Sequence, residues 1–293
     1  MRETGTADSP EQNIILTGLP RGSTTLTCHL LNQVNNVVAL HEPLEVGKFI
    51  GLSRAEILEG IDAFFAAARQ SLLEDGVAPS KVEDGRVPDN PWSDSPEQSG
   101  LRGRRTSKGE IRIERALAPD FRLVIKHPAM FTALLPDLVD RWRCFAVIRN
   151  PLGVLLSWAS LPSLPVHKGR ARMAEVYDDE LRVALDAIPD VLERRLPLLN
   201  WAFARYRDTL PVHQVIRYED TIATGGRSLV VVDSGAAALK QSLASKNTNP
   251  LYDRAVVEST AACLIERGGA YEHWYSRQDI ENLSVSLLGG ASR

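Results

Sequence analysis

The stretch "NIILTGLPRGSTTLTCHLLNQV" (13–34) decides the fold. Its apolar start, "NIILTG" (13–18), predicts a buried strand that ends at a glycine. Apolar residues at 26, 30, 31 and 34 recur at helical spacing, so we expect a helix from Ser23 to the "NN" at 35–36. "VVAL" (37–40) then predicts a second strand. A strand, a glycine-containing loop, a helix and another strand are typical of a parallel βαβ unit.

The loop between this strand and helix predicts an anion site. A helix N-terminus presents backbone N–H groups that favour negative charge. Arg21 adds a guanidinium whose fork fits phosphate or sulfate, and Thr24 and Thr25 add hydroxyls. Similar loops also cap helices without binding a ligand. The usual nucleoside-triphosphate loop reads G-x-x-x-x-G-K-[ST], and this loop lacks that spacing and its lysine.

The rest of the chain predicts an α/β fold, a single domain over 13–293 with a mostly parallel central sheet flanked by helices. Further strands are expected at "FRLVIKHP" (121–128), "RCFAVIRNP" (143–151) and "HQVIRYED" (213–220), whereas "SLVVVD" (228–233) fits a strand or the buried start of a helix. Helices are expected at 53–75, after 151, at 176–210 with breaks near Pro189 and Pro197, and at 256–269. A flexible tail is expected at 1–12, and a long mobile substrate loop at 76–110.

Composition excludes several classes of function. The net charge of −3 gives no general attraction to nucleic acid or to an anionic membrane. Cys28, Cys144 and Cys263 are too far apart in sequence for a zinc motif or a disulfide framework. The chain shows no signal peptide and no apolar run of membrane-spanning length. We therefore expect a cytoplasmic protein that has neither nucleic-acid nor membrane partners. A monomer or a homodimer is expected as well.

Four blocks together resemble the sulfotransferases that use 3′-phosphoadenosine 5′-phosphosulfate (PAPS). "LPRGSTTL" (19–26) is similar to their 5′-phosphosulfate loop, and "VIRNPLGVLLSW" (147–158) to their 3′-phosphate motif, with Arg149 and Ser157 at the family spacing. "IKHP" (125–128) resembles their lysine-bearing strand end, and "IRYED" (216–220) their fourth block. The resemblance implies a P-loop-NTPase-like sulfotransferase fold, PAPS as co-substrate, 3′-phosphoadenosine 5′-phosphate (PAP) as product, and a small-molecule acceptor with a hydroxyl or an amine.

The resemblance also implies a nucleotide site. Its expected residues are Pro20, Arg21, Gly22, Ser23, Thr24, Thr25, Arg149, Ser157, Tyr218, Ser245, Lys246, Asn247 and Arg267. The Gly22-Ser23 pair reverses the usual order of the family. If Ser23 needs a positive φ, a serine there costs roughly 1 kcal/mol relative to glycine.

The catalytic residues follow from the same resemblance. Arg21 and Lys126 are expected to neutralise the leaving phosphate, so the resemblance implies that no metal is needed. Glu42 is the first candidate for the base, as in the tyrosylprotein and several glycosaminoglycan branches, and a glutamate base would work best if burial raised its pKa toward the working pH. His127 is the second candidate; it lies one residue nearer the lysine than the histidine of the cytosolic branch, which predicts the opposite strand face. His41 is the third.

Two other functions stay open at this stage. A P-loop kinase would use Asp233, at the end of "LVVVD", to hold Mg²⁺ for ATP. A non-catalytic module would bind PAP and need no base.

Overall fold

The computed structural model describes residues 12–96, 102–247, 249 and 252–289. The strands are β1 (Asn13–Gly18), β2 (Val37–His41), β3 (Val77–Val82), β4 (Trp92–Pro96), β5 (Arg102–Arg104), β6 (Ser107–Arg112), β7 (Arg122–Lys126), β8 (Arg143–Ile148) and β9 (Val215–Arg217). The α-helices are α1 (Thr24–Leu31), α2 (Arg54–Glu74), α3 (Pro128–Leu138), α4 (Pro151–Ala159), α5 (Arg172–Glu175), α6 (Asp179–Asp186), α7 (Arg195–Thr209), α8 (Tyr218–Ala223), α9 (Arg254–Arg267) and α10 (Arg277–Gly289).

The central sheet has five parallel strands in the order β2-β7-β1-β8-β9. Every residue of β1 and β2 is buried, as expected for strands that are covered on both faces. The predicted α/β class, with a mostly parallel sheet flanked by helices, is confirmed. The predicted βαβ unit is also confirmed, with β7 inserted between its two strands. Because the strands are parallel, the segments that follow them meet at one edge of the sheet.

Local capping signals place the helix starts. Ser53 and Glu56 form the predicted capping box at the start of α2. Asn150 caps α4 by accepting the Leu152 N–H, and Pro151 occupies the first helical position, as predicted. The start of α4 therefore directly follows the end of β8, which fixes the position of Arg149 between them.

The prediction of a long loop at 76–110 is wrong for the residues that the structure describes. β3 pairs with β6, and β4 with β5, in two small antiparallel sheets. The inward positions of β3 are Ala78, Ser80 and Val82, and only two of these are apolar. This alternation of buried and exposed residues is short and partly polar, and it lies among glycines and prolines. The sequence pattern therefore did not predict a strand. Mobility of this segment stays a prediction, and residues 97–101 lie outside the described residues.

Three further elements test the expected boundaries. The strand predicted at 213–220 has only three residues, because α8 begins at Tyr218. Of the two alternatives left open for 228–233, a strand or the start of a helix, the structure has a short 3₁₀ helix at Arg227–Val231. The long helix predicted at 176–210 is interrupted between α6 and α7, which confirms the break expected near Pro189. The break expected near Pro197 is wrong, because Pro197 lies in the first turn of α7, where a missing N–H breaks no helical hydrogen bond.

The predicted flexible tail, 1–12, falls almost entirely outside the described residues. Within the described ranges, no helix has the length and apolar character that crossing a membrane requires.

Candidate active site

A cavity of about 1030 Å³ opens at the carboxyl edge of the central sheet. Residues that follow all five strands line it: Pro20 after β1, Glu42 after β2, His127 after β7, Arg149 after β8 and Tyr218 after β9. We call the part formed by Pro20, Arg21, Ser23, Thr24, Thr25, Arg149, Ser157, Tyr218 and Lys246 the nucleotide end. We call the part formed by 43–48, 79–81, 102–109 and 164–173 the second wall.

The loop after β1 has the backbone strain that its sequence suggests. Ser23 has φ 76° and Arg21 has φ 69°, both in the left-handed region. Gly22 does not have a positive φ, but a Cβ there would lie 2.9 Å from the Leu19 carbonyl oxygen, to which the Gly22 N–H donates at 2.8 Å. The Gly-Ser order therefore follows from local packing. Gly22 fills a site with no room for a side chain, and Ser23 adopts the left-handed conformation.

The two predicted anion-binding groups lie side by side. Arg21 Nε donates to Ser157 Oγ at 3.2 Å, and Arg149 Nη1 donates to the Arg21 carbonyl oxygen at 3.2 Å. Trp158 Nε1 donates to the Pro20 carbonyl oxygen at 2.7 Å. The loop after β1 is thus fixed by two hydrogen bonds to α4 and one to Arg149, which precedes that helix. The N–H groups of the first turn of α1 have no acceptor within the helix, so they can bind an anion at this point.

Arg149 is held in a buried cage. Its Nε donates to Asn247 Oδ1 at 2.5 Å, and its Nη2 donates to the Lys246 carbonyl oxygen at 2.6 Å. Its guanidinium lies 5.0 Å from the ring centre of Tyr218, whose hydroxyl accepts the Lys246 N–H at 2.6 Å. Arg149 is only 3% exposed. These contacts use three of the five N–H groups of the guanidinium and hold it in place, and the remaining two N–H groups are preorganised for a second anion.

Two residues behind the cage were missed by the sequence analysis. Glu219 Oε1 accepts hydrogen bonds from Asn247 Nδ2 and from the Asn150 N–H. Glu219 thereby links the start of α4 to the side chain that holds Arg149. Gly153 leaves room for that side chain, since a Cβ there would lie 2.6 Å from Asn247 Oδ1. Glu219 lies in the "IRYED" block, so its position was quoted, but its partner is 28 residues away in sequence.

The base candidate Glu42 lies between two lysines. Its carboxylate accepts a hydrogen bond from Lys126 Nζ at 3.0 Å and forms a short ion pair with Lys81 Nζ. Lys126 is 1% exposed, so it is a buried cation and not a surface lysine. Glu42 has φ 47°, and its N–H donates to the Lys126 carbonyl oxygen at 2.8 Å. A glutamate in the left-handed backbone conformation is strained, and such strain clusters at functional sites.

The pKa of Glu42 is lowered, so the rise that would best suit a glutamate base at the working pH does not occur. Burial alone would raise this pKa, but Lys126, His41 and Lys81 together hold it well below its ordinary value of 4.5. Lys81 belongs to β3, inside the segment that we predicted to be a loop. The carboxylate is therefore ionised at neutral pH and is held in one orientation by its cationic partners.

The two histidine candidates are neutral in the folded protein. Burial lowers the pKa of His127 to about 3 and that of His41 to about 4. His127 Nε2 accepts the Leu44 N–H at 3.0 Å, so that nitrogen has a structural partner. His127 was expected on the strand face opposite to Lys126, but both residues line the cavity. The reason is that β7 ends at Lys126, so the alternation of side chains between the two faces of the strand does not extend to His127. His41 Nε2 lies 3.4 Å from Glu42 Oε1.

Two predicted nucleotide residues lie elsewhere. Arg267, at the end of α9, forms an ion pair with Glu193 on an exposed surface. Ser245 accepts the Asn247 N–H at 3.2 Å, so its position in this loop supports the Arg149 cage. Among the described residues, no group of three or more His, Cys, Asp or Glu is arranged to hold a metal ion.

Comparisons with known proteins give little beyond this geometry. No family model matches the chain, and no curated protein does. The solved structure of sulfotransferase STF1 from Mycobacterium tuberculosis H37Rv is similar at 14% sequence identity, over 95% of this chain and 76% of that one, with a TM-score of 0.32. Residue roles cannot be transferred at that similarity, so they rest on the contacts described above.

Proposed function

We propose that this protein is a PAPS-dependent sulfotransferase that transfers a sulfuryl group to a hydroxyl, or an amine, of a small molecule. The observation that carries the proposal is that one cavity holds two preorganised anion sites together with buried Lys126 and its partner, the partly exposed Glu42. A 3′,5′-bisphosphorylated nucleotide has two separate anionic ends, and a sulfuryl acceptor needs a base close to one of them.

The nucleotide end supplies groups for both phosphates. In this proposal, the N–H groups of the first turn of α1, with Thr24 and Thr25, bind the 5′-phosphosulfate. Arg149 and Ser157 bind the 3′-phosphate, and Tyr218 lies near the adenine. The contact between Arg21 and Ser157 keeps the two groups at a fixed separation.

Glu42, Lys126 and Arg21 would perform the transfer. Glu42 accepts the proton of the acceptor hydroxyl as the acceptor oxygen bonds to sulfur. The bond from sulfur to the bridging phosphate oxygen breaks, and its electron pair leaves with PAP. Lys126 and Arg21 neutralise the charge that develops on that phosphate. A carboxylate of low pKa suffices if the transition state is loose, as in phosphoryl transfer, because proton transfer then comes late.

The size of the cavity fits two substrates. Pockets for a single drug-sized ligand measure roughly 300–1,000 Å³, and this cavity reaches the top of that range. The nucleotide end occupies one part of it, and Glu42 lies where the nucleotide end meets the second wall.

The residue that would hold Mg²⁺ in the kinase alternative does not line the cavity. Asp233, the carboxylate on which that alternative depends, forms an ion pair with Arg122 near the amino end of β7. Mg²⁺ at the cavity would need a carboxylate at the carboxyl end of the strands, and the carboxylate that lines the cavity there, Glu42, is already paired with Lys126 and Lys81.

A thermal-shift screen with PAP, PAPS, ATP–Mg²⁺ and GTP tests the proposal. We expect PAP and PAPS to raise the melting temperature, because a ligand that binds only the folded state stabilises it. Stabilisation by ATP–Mg²⁺ and none by PAP would sink the proposal.

A further inference from the structure

The second wall carries positive charge that the proposed reaction leaves unused. Among the described residues that line the cavity, eleven are Lys or Arg and three are Asp or Glu, although the whole chain has a net charge of −3. The nucleotide end and the Glu42 pairs account for five of these cations. The six that remain on the second wall are Lys48, Arg102, Arg104, Lys108, Arg170 and Arg172.

Some of these cations have carboxylate partners of their own. Lys48 pairs with Glu45 at 3.0 Å, and Arg170 pairs with Glu175 and Asp186, both at 2.6 Å. Such pairs explain a basic side chain without any ligand. Within the described ranges, Arg104, Lys108 and Arg172 have no carboxylate within the 4.0 Å of an ion pair. We call these three side chains the uncompensated cations of the second wall.

Lys108 is linked to the proposed base through its strand partner Lys81. The register of β3 and β6 places Lys108 directly opposite Lys81, the lysine that binds Glu42. Directly opposite residues of an antiparallel pair have Cβ atoms about 4.5–5.5 Å apart on the same face, and like charges there destabilise the sheet. Lys81 is compensated by Glu42. The pKa of Glu45 is lowered mainly by Lys48, which forms an ion pair with that carboxylate, and to a smaller extent by Lys108.

Arg104 and Arg172 extend the charge around Lys108. Arg104 is on β5, three residues before β6 begins, and its guanidinium lies 5.9 Å from the ring centre of Trp92, which also lines the cavity. Arg172 begins α5 in the 164–173 segment of the same wall. A cavity wall with one sign of charge concentrates ligands of the opposite sign.

We infer that the acceptor is an organic anion, a hydroxyl or amino compound that also carries a carboxylate, sulfate or phosphate near the reacting group. Lys108 binds this anionic group, with Arg104 and Arg172 adding to the attraction, while the hydroxyl faces Glu42. The inference rests on the proposed function and adds the class of its acceptor.

Calorimetric titration of the PAP-loaded protein tests the inference with matched probes. Each acid is compared with its uncharged counterpart: glucuronate with glucuronamide, 4-hydroxyphenylacetate with its amide, and N-acetylglucosamine 6-phosphate with N-acetylglucosamine. At low salt we expect at least one acid to bind about tenfold or more tightly than its counterpart, and added salt to reduce the difference. The sugar phosphate and the two carboxylates show which anion is preferred.

Two variants separate recognition from folding. Lys108→Gln should remove most of the preference for acids and leave PAP affinity unchanged. Arg112→Gln is the matched control, because Arg112 lies on the same face of β6 and is exposed without lining the cavity. Its preference for acids should equal that of the unmodified protein.

The outcomes distinguish the two proposals. Failure to bind PAP would sink the proposed function. If PAP binds, three results would overturn the inference alone. They are that no acid binds, that the uncharged counterparts bind as tightly as the acids, or that Lys108→Gln keeps the full preference for acids.

Discussion

The two parts of the cavity are built in different ways. The nucleotide end uses the ends of parallel strands, and three of its side chains are almost fully buried: Arg149 is 3% exposed, Ser157 2% and Tyr218 1%. The second wall uses two small antiparallel sheets beside the main one, and Arg104 and Lys108 there are exposed. Under the proposed function, this difference teaches that buried groups suit a nucleotide that is always the same, whereas exposed groups suit an acceptor that differs between enzymes.

Glu42→Gln should have the largest effect, because it removes the base where the two parts meet. We expect turnover to fall by about 10²–10⁴-fold, the usual contribution of a general base. PAP affinity should stay within about threefold, a difference of less than 1 kcal/mol. The assay is PAP release from PAPS in the presence of an acceptor. Glu45→Gln is the control, and retained turnover in Glu42→Gln would transfer the base to His127 or His41.

Arg149→Ala tests the buried half. Hydrogen bonds to charged groups contribute about 1.5–3 kcal/mol, so PAP affinity should fall by about 10–100-fold. A nucleotide without the 3′-phosphate should bind almost as before. Arg143→Ala, at the other end of β8, is the control. Equal weakening of both nucleotides in calorimetry would refute the assigned contact.

Gly153→Ala tests the packing behind Arg149. The added Cβ would lie 2.6 Å from Asn247 Oδ1 and would displace the side chain that fixes Arg149. Overpacking of this kind costs about 1–3 kcal/mol, and we expect PAP affinity to fall by about tenfold at most. Gly289→Ala, where a Cβ meets nothing within 4 Å, should bind PAP normally. Normal binding by both variants would show that Asn247 does not position Arg149.

His127→Asn tests the pH dependence that burial imposes. Burial lowers the pKa of His127 from 6.5 to about 3, so below pH 6.5 the unfolded state takes up a proton that the folded state does not. Stability therefore falls on acidification, by at most about 1.4 kcal/mol per pH unit from this residue. Urea unfolding between pH 6.5 and about 5 should show a smaller slope in His127→Asn, while exposed His213→Asn keeps the full slope. Equal slopes in all three proteins would contradict the assignment.

Ser23→Gly should have the smallest effect. It relieves a left-handed serine, so we expect a gain in stability of about 1 kcal/mol with PAP affinity retained. Gly22→Ser should lose stability, because its Cβ would meet the Leu19 carbonyl oxygen at 2.9 Å. The double exchange, which restores the order usual in sulfotransferases, should therefore be less stable than Ser23→Gly alone. Thermal unfolding that ranks the double exchange highest would contradict this account of the loop.

The sequence predicted the buried half well, because its signals are local. The apolar run 13–18, the glycine at its end and Pro151 after Arg149 all act within a few residues of the elements that they specify. The carboxyl ends of parallel strands then bring these segments together without further information.

The second wall could not be predicted in the same way. Lys81 reaches Glu42 only because β3 pairs with β6 and packs beside β2, and such contacts have no local pattern. The lowered pKa of Glu42 could not be predicted for the same reason, since Lys81 lies in a segment that was expected to be a loop. Glu219 was missed because its role depends on Asn247, 28 residues further along the chain.

A crystal structure of the protein grown with PAP tests the central claim most directly. The account predicts that the 3′-phosphate accepts hydrogen bonds from Arg149 and Ser157 at about 2.7–3.2 Å, and that the 5′-phosphate lies at the N–H groups of the first turn of α1, facing Lys126. PAP bound elsewhere, or bound with its 3′-phosphate away from Arg149, would contradict it.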